Sequence, residues 1–208
     1  MDGFPRLGHQ SAMARKSGPL TAAFFARDVD HVARELIGAS LLFDGAGGLI
    51  VETESYDTAD PASHAYLGRR TPRNAVMFGP AGHAYVYRSY GLHWCLNLTC
   101  GKGSAVLIRA LEPRHGLARM RERRGMDDAA RLCAGPGRLC EALAITGAQN
   151  GASLLAAPFA LHGAEAPVAL STGVRVGLTK AADLPRRFGM MGSPFLSRRF
   201  PASHLPAR

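Results

Sequence analysis

From Ser40 to Leu111 the chain is a succession of short apolar runs, each stopped by glycine or proline, and this spacing constrains the fold more than any other feature. Ser40–Phe43 and Leu49–Tyr56 read as strands either side of Asp44-Gly45-Ala46-Gly47-Gly48, a hairpin signal with a glycine-rich loop. Ala84–Tyr90 and Leu92–Thr99 read as strands that meet at Gly91. The second alternates cleanly, with Leu92, Trp94, Leu96 and Leu98 against His93, Cys95, Asn97 and Thr99, so Asn97 belongs to the less apolar face. Ala105–Leu111 is a further strand with Arg109 among apolar neighbours.

Helices flank these runs. Asp28 can cap a helix through Val29, Val32, Ala33, Leu36 and Ile37 that ends at Gly38. Pro113–Arg124 reads as a basic, solvent-facing helix closed by Gly125, and Leu139, Cys140, Leu143 and Ala144 mark another between Gly135-Pro136-Gly137 and Gly147. Residues 148–170 read as irregular strands and loops, and Val174–Thr179 as the last strand. Asp57–Gly82 holds Pro61, Gly68, Pro72, Gly79, Pro80 and Gly82, too many breakers for long regular elements, and is expected as a surface loop.

At 208 residues, 47% hydrophobic and 20% charged, the chain suits one domain with a substantial core. Residues 1–19 lack both an apolar core and a regular period, so they read as a flexible tail, with residues 20–208 as the domain. A net charge of +9 with 22 arginines among 25 basic residues points to a polyanion, either nucleic acid or an anionic membrane surface. Cys95, Cys100, Cys133 and Cys140 show no paired metal-ligand spacing and read as reduced structural thiols, which fits an intracellular protein.

The residues able to carry chemistry are concentrated between Val51 and Asn97. Glu52 and Glu54 leave one face of a strand roughly 7 Å apart, which suits acid and base in cleaving a glycosidic bond, or pairing with arginines. His64 in the loop is a surface imidazole or a hydrogen-bond partner, and Tyr85, Tyr87 and Tyr90 either pack or stack on a planar ligand. Arg109 must be paired with a carboxylate or kept for an anion, and Asn97 either satisfies backbone or lines a pocket. Gly135-Pro136-Gly137 is a phosphate cradle or, more simply, a tight turn.

Val51-Glu52-Thr53-Glu54-Ser55-Tyr56, Thr71-Pro72-Arg73-Asn74 with Met77-Phe78, Tyr85-Val86-Tyr87 with Tyr90-Gly91, Leu96-Asn97, Arg109-Ala110-Leu111-Glu112-Pro113 and Cys133-Ala134-Gly135-Pro136 together resemble, in order and spacing, the motifs of the alkyladenine type of 3-methyladenine DNA glycosylase. The resemblance runs from about Leu20 to Arg198, with a weaker match at Asp183-Leu184-Pro185 and Arg187-Phe188. It implies an α+β fold, a single compact mixed domain with a curved antiparallel sheet surrounded by helices, with no required metal and no cofactor. By position it implies that Glu54 activates water, that Tyr56, His64 and Tyr87 form the walls around a flipped base, and that Asn97 screens bases against the guanine amino group. Tyr90 corresponds to the wedge inserted into the duplex, with Leu92 and His93 beside it, and Arg109 to an arginine supporting the DNA-facing site. His93, Leu92 and Arg186 stand where a Tyr, a Met and a Trp are familiar in the family, and the loop from Tyr56 to His64 is one residue shorter than in the mammalian pattern.

The expected partner is therefore double-stranded DNA containing damaged purines, the expected state a monomer without membrane attachment, and the location intracellular, in the cytoplasm or nucleoid if the source is bacterial. Lys16, Lys102 and Lys180 are the only lysines and none falls in a matched motif, so no amine is placed for strand cleavage through a Schiff base. The competing readings are a non-catalytic nucleic-acid-binding module on the same fold and a carbohydrate hydrolase built on Glu52 and Glu54.

Overall fold

A computed structural model of the chain describes residues 18–201. Most of the tail expected over residues 1–19 lies outside these; Gly18 and Pro19, at its end, lie against a strand, where the Gly163 amide donates to the Gly18 carbonyl at 3.0 Å. Two short helices open the domain: α1 (Ala22–Phe25) and α2 (Val29–Glu35), whose first turn is capped by the Asp28 carboxylate accepting from the amides of Asp30 and His31 at 3.1 Å each. Then follow β1 (Ser40–Phe43), β2 (Ala46–Tyr56), β3 (Ala84–Ser89), β4 (His93–Gly101) and β5 (Ser104–His115). After them come α3 (Leu117–Arg124), α4 (Ala129–Leu132), α5 (Pro136–Leu143), β6 (Phe159–His162), β7 (Leu170–Gly173) and β8 (Arg187–Met190).

All strand pairs are antiparallel and form one curled sheet in the order β3-β4-β5-β2-β1-β6, with β8 continuing beside β2 and β7 beside β8. Strand β2 is its spine. It pairs β5 along its whole length, while its other edge is shared between β1 over Ala46–Leu49 and β8 over Glu52–Glu54. One face of the sheet packs under the helices in the main core, which includes Ile50, Leu96, Leu98, Val106 and Ile108 with Val32, Leu36, Leu139 and Leu143. The other face carries a smaller cluster of Ala65, Met77, Tyr85 and Ala105 beneath the loop of residues 57–82.

Three expectations are corrected. The β1–β2 turn is only Asp44-Gly45, both with positive φ (48° and 68°), and Gly47 and Gly48 belong to β2 rather than to the loop. They are needed there because neighbouring strands approach closely: a Cβ would lie 2.1 Å from the Leu41 carbonyl oxygen at Gly47 and 1.9 Å from that of Glu112 at Gly48. The segment from Pro113 to His115 extends β5 instead of starting a helix, with Pro113 tolerated where the register shifts between Gly47 and Gly48. Finally, Val174–Thr179 is irregular. Gly177 has φ +74° and Val174 is exposed, and the ladder is made instead by β7 and by β8, which the apolar spacing did not reveal.

Gly48→Ala is expected to lower unfolding free energy by about 2–4 kcal/mol, because the new methyl must force β2 and β5 apart. Urea denaturation followed by circular dichroism measures it; a loss below about 0.5 kcal/mol would show that the strands separate without strain.

Candidate active site

Register brings the chemistry together. Glu54 pairs with Leu107, Leu107 with Asn97 and Asn97 with Tyr85, so these residues form one row across β2, β5, β4 and β3 and project from the same face. Tyr56 and Glu52 on β2, Tyr87 on β3 and Arg109 on β5 each lie two residues from that row and share the face. The alternation visible in Leu92–Thr99 put Asn97 on the less apolar side, and that side is the one bearing the site.

The loop over this face has almost no regular structure and is organised by Asn74, which is 1% exposed. Its amide nitrogen donates to the carbonyls of His64 (2.7 Å) and Arg69 (2.9 Å), while its oxygen accepts from the Thr71 amide (2.7 Å) and hydroxyl (3.1 Å). One side chain thus replaces the backbone ladder that the breakers exclude. His64 is set so that its Nδ1 lies 2.8 Å from the Tyr85 hydroxyl and its ring stands edge-on to Tyr87, centroids 4.6 Å apart.

Together these elements enclose a cavity of about 430 Å³ lined by Tyr56, His64, Arg73, Tyr85, Tyr87, Tyr90 and Asn97, with Ala62, Ser63, Met77, Ser89, Ala105 and Leu178. That volume is in the range of small-ligand pockets. Glu54 lies fully buried beside Tyr56, which is on this wall. Its Oε2 accepts from the Tyr56 hydroxyl and its Oε1 from the Val176 amide, each at 2.8 Å, and Oε1 is 3.2 Å from Arg109 Nη1.

Electrostatics follow from this crowding. Burial, and then the neighbouring Glu54 carboxylate, push the Tyr56 hydroxyl far above the ordinary tyrosine range, so it stays a donor. Burial and then Cys95 do the same for Tyr87, and burial moves Tyr85 up to about 12. Burial, and then the Arg73 charge, hold His64 below its ordinary value and favour the neutral ring. For Arg109 burial alone would favour the neutral form, but Glu54 and then Glu52 more than reverse this and the guanidinium remains charged.

Tyr90 and Gly91 form a tight turn with φ values of 49° and 71°, closed by the Leu92 amide donating to the Ser89 carbonyl at 2.9 Å. Left-handed backbone is unusual for a bulky residue, and here it holds the Tyr90 ring 90% exposed at the rim of the cavity with Leu92 71% exposed beside it. His93 is exposed at the base of β4 and lies against Gly137, away from the cavity lining. Gly135 is the N-cap of α5, and Pro136 and Gly137 are the first two residues of the helix.

Arg109 does not reach a surface that could touch a phosphate. It is 7% exposed and holds both carboxylates, with Nε donating to Glu52 at 2.9 Å. Glu52 also accepts from Arg187 Nε and the Ser197 hydroxyl, each at 2.8 Å, and from the Ser197 amide; held by two guanidiniums and by Ser197, it is not available as the second acid of a carbohydrate hydrolase. All four cysteines are free and buried, and among the described residues no three His, Cys, Asp or Glu side chains converge as metal ligands. No helix among them is long and apolar enough to cross a membrane.

Residues 23–194 match the family described as methylpurine-DNA glycosylase (MPG). The chain belongs to that family. Relatives provisionally named 3-methyladenine DNA glycosylase include one from Rhodopseudomonas palustris, 62% identical over 88% of this chain and 91% of its own length. Another, from Bradyrhizobium diazoefficiens, is 55% identical over 95% of both chains, and one from Nitrosospira multiformis is 59% identical over 85% of this chain and 92% of its own. The chain is thus a DNA glycosylase, a hydrolase of the N-glycosidic bond, and its substrate is DNA.

Arg175 was not singled out from the sequence of this glycosylase. It is 4% exposed, pairs through both terminal nitrogens with the buried Asp60 carboxylate, and lies with its guanidinium carbon 4.6 Å from the Tyr56 ring centroid. The signal that marked Arg109, an arginine between apolar neighbours, is also present at Val174-Arg175-Val176. Arg73 is the second omission, its guanidinium carbon 5.4 Å from the Tyr87 ring centroid.

The His64 ring is expected to titrate below 6.5, and Arg73→Gln to move its midpoint up toward that value, as read from the imidazole proton shifts by NMR. An unmoved midpoint would assign the depression to burial alone.

Proposed function

We propose that this glycosylase flips alkylated or deaminated purines, 3-methyladenine, 7-methylguanine, hypoxanthine and ethenoadenine, out of duplex DNA into the aromatic cavity and hydrolyses the bond to the sugar. The observation that carries the reading is a fully buried carboxylate, Glu54, hydrogen-bonded to Tyr56 on the wall of a tyrosine- and histidine-lined cavity that has an exposed tyrosine on a tight turn at its rim. A base inside the stack cannot be reached, so it must be extruded, and the unstacking cost of a few kcal/mol has to be offset. Tyr90, with Leu92, fills the gap left in the duplex, and Tyr56, Tyr87 and His64 stack and flank the base.

Glu54 accepts a proton from a water that attacks C1′, and the electron pair of the broken C1′–N bond goes to the departing base. A base methylated at N3 or N7 is already cationic and leaves as a neutral molecule; hypoxanthine or ethenoadenine leaves after protonation on the ring. Asn97, whose amide nitrogen donates to the Tyr85 carbonyl at 3.0 Å, sits where a guanine amino group is to be refused. Neither Lys102 nor Lys180 lines the cavity, which supports release of the base with the strand left intact at an abasic site.

Approach of DNA from the turn side is supported by Arg69, Arg70, Arg73 and Arg88, which are exposed on the loop and strand that build the cavity and make no ion pair among the described residues. The arginines of α3, by contrast, are engaged: Arg119 with Asp44 at 3.1 Å, Arg124 with Glu141, and Arg123 with the Ala142 carbonyl at 3.0 Å.

Glu54→Gln is expected to lower single-turnover release of hypoxanthine from a duplex by at least about a hundredfold while leaving binding to the lesion duplex within a few-fold. Release at the wild-type rate would remove Glu54 from the chemistry, and a non-catalytic binder would show no release from either protein.

A further inference from the structure

We propose that Glu52 is a positioning residue that keeps the Arg109 guanidinium from closing onto Glu54, so that Glu54 remains free to take a proton from water; this rests on the assignment of Glu54 as the base. Arg109 is anchored on two sides by groups other than Glu54. Its Nε donates to Glu52 Oε1 at 2.9 Å, and its Nη2 donates to the Ser197 hydroxyl at 3.2 Å, while that hydroxyl itself donates to Glu52 Oε1 at 2.8 Å. Only Nη1 is left to approach Glu54, at 3.2 Å.

An arginine meets a carboxylate most strongly through two parallel hydrogen bonds, and that arrangement engages both oxygens. Here both oxygens of Glu54 already accept one bond each, from Tyr56 and Val176. A two-pronged Arg109 would fill the sites that a water needs. Glu52 prevents it by giving the guanidinium a better partner, one that is held by the Ser197 amide and hydroxyl and for whose Oε1 the Arg187 guanidinium from β8 competes with Arg109.

Charge balance makes the effect more than geometric. Glu52, Glu54, Arg109 and Arg187 are all buried, two of each sign. With Glu52 neutral, Glu54 is the one carboxylate left in contact with Arg109, and the guanidinium is drawn to it. The other groups facing Glu54 are Tyr56 on its own strand, Tyr87 from β3, Cys95 from β4 and Arg175, which is balanced by Asp60. None of these contacts Arg109 Nε, so none substitutes for Glu52.

The test is the pH profile of single-turnover hypoxanthine release for wild type, Glu52→Gln, Glu52→Asp, Arg187→Gln and Glu54→Gln, with binding to an abasic-analogue duplex and a thermal melt for each. Glu52→Gln keeps the shape and loses the charge. Its acidic limb is expected to move down by about one pH unit and its plateau rate to fall about tenfold, with duplex binding unchanged. Glu52→Asp restores the position of the limb. Arg187→Gln, which removes the competing cation, moves the limb in the opposite direction, so it decides the matter if Glu52→Gln does not fold.

Opposite displacements from the two charge changes support the proposal. A lowered melting temperature or active fraction with the limb in place for both variants overturns it and leaves Glu52 a purely structural anchor. Retained release in Glu54→Gln would instead overturn the assignment of the base.

Discussion

The pairing of Arg109 with Glu52 and Glu54 is the constraint on which the arrangement of this glycosylase depends. Removing an ion from water costs several kcal/mol even after the protein relaxes, and such a group is kept only where partners are fixed in good geometry. Two fully buried carboxylates on one strand therefore demand cations on both neighbours. Strand β5 supplies Arg109 and β8 supplies Arg187, which is why β2 must sit between them and why its second edge passes from β1 to β8 near Glu52. The β2–β5 register shifts on either side of Glu52, between Ile50 and Glu52 and between Glu52 and Thr53. Such bulges redirect side chains without ending the sheet, and they turn the strand where the charges meet.

The same strand order divides labour between two faces. Under the helices the packing is aliphatic and fully buried, and it fixes where β2 to β5 lie. On the opposite face a smaller cluster around Met77 and Tyr85 supports the loop, whose shape is fixed further by hydrogen bonds to the buried Asn74 and by the buried Asp60–Arg175 pair. Rigid strands thus place Glu54, Asn97 and the tyrosines, while a loop held at a few points places His64 and Arg73. The cavity has one wall set by the strand register and one set by side-chain hydrogen bonds within the loop.

How much of this could be read in the sequence follows from which forces act locally. The strands of the central sheet were legible because alternation and turn residues are properties of neighbours in the chain, and the boundaries of β1 were found to the residue. Asn97 was placed on the correct face by the same alternation. The extension of β2 through Gly47 and Gly48 was not legible, because the glycines that look like a loop are demanded by Leu41 and Glu112 on other strands. Strands β7 and β8 are short, and β8 carries Arg187, whose place in a strand makes sense only once Glu52 is beside it. Arg175 was missed for the same reason. Its partner, Asp60, lies 115 residues away in the breaker-rich loop.

Charge gives the sharpest separation between what composition suggests and what the fold uses. The densest arginine run in the sequence is in α3, and its side chains are mostly engaged in pairs with Asp44 and Glu141 or with backbone carbonyls. Arg109, Arg175 and Arg187 are buried and balanced by Glu52, Glu54 and Asp60, so they add nothing to the outer field. What remains of the net charge of +9 is contributed in part by the exposed, unpaired arginines of residues 69–88, beside the cavity. Long-range attraction of a polyanion is set by uncompensated charge rather than by counts of arginine. The densest arginine run is therefore largely engaged in local pairs, and the exposed arginines beside the cavity add uncompensated charge on the side where the proposed chemistry is done.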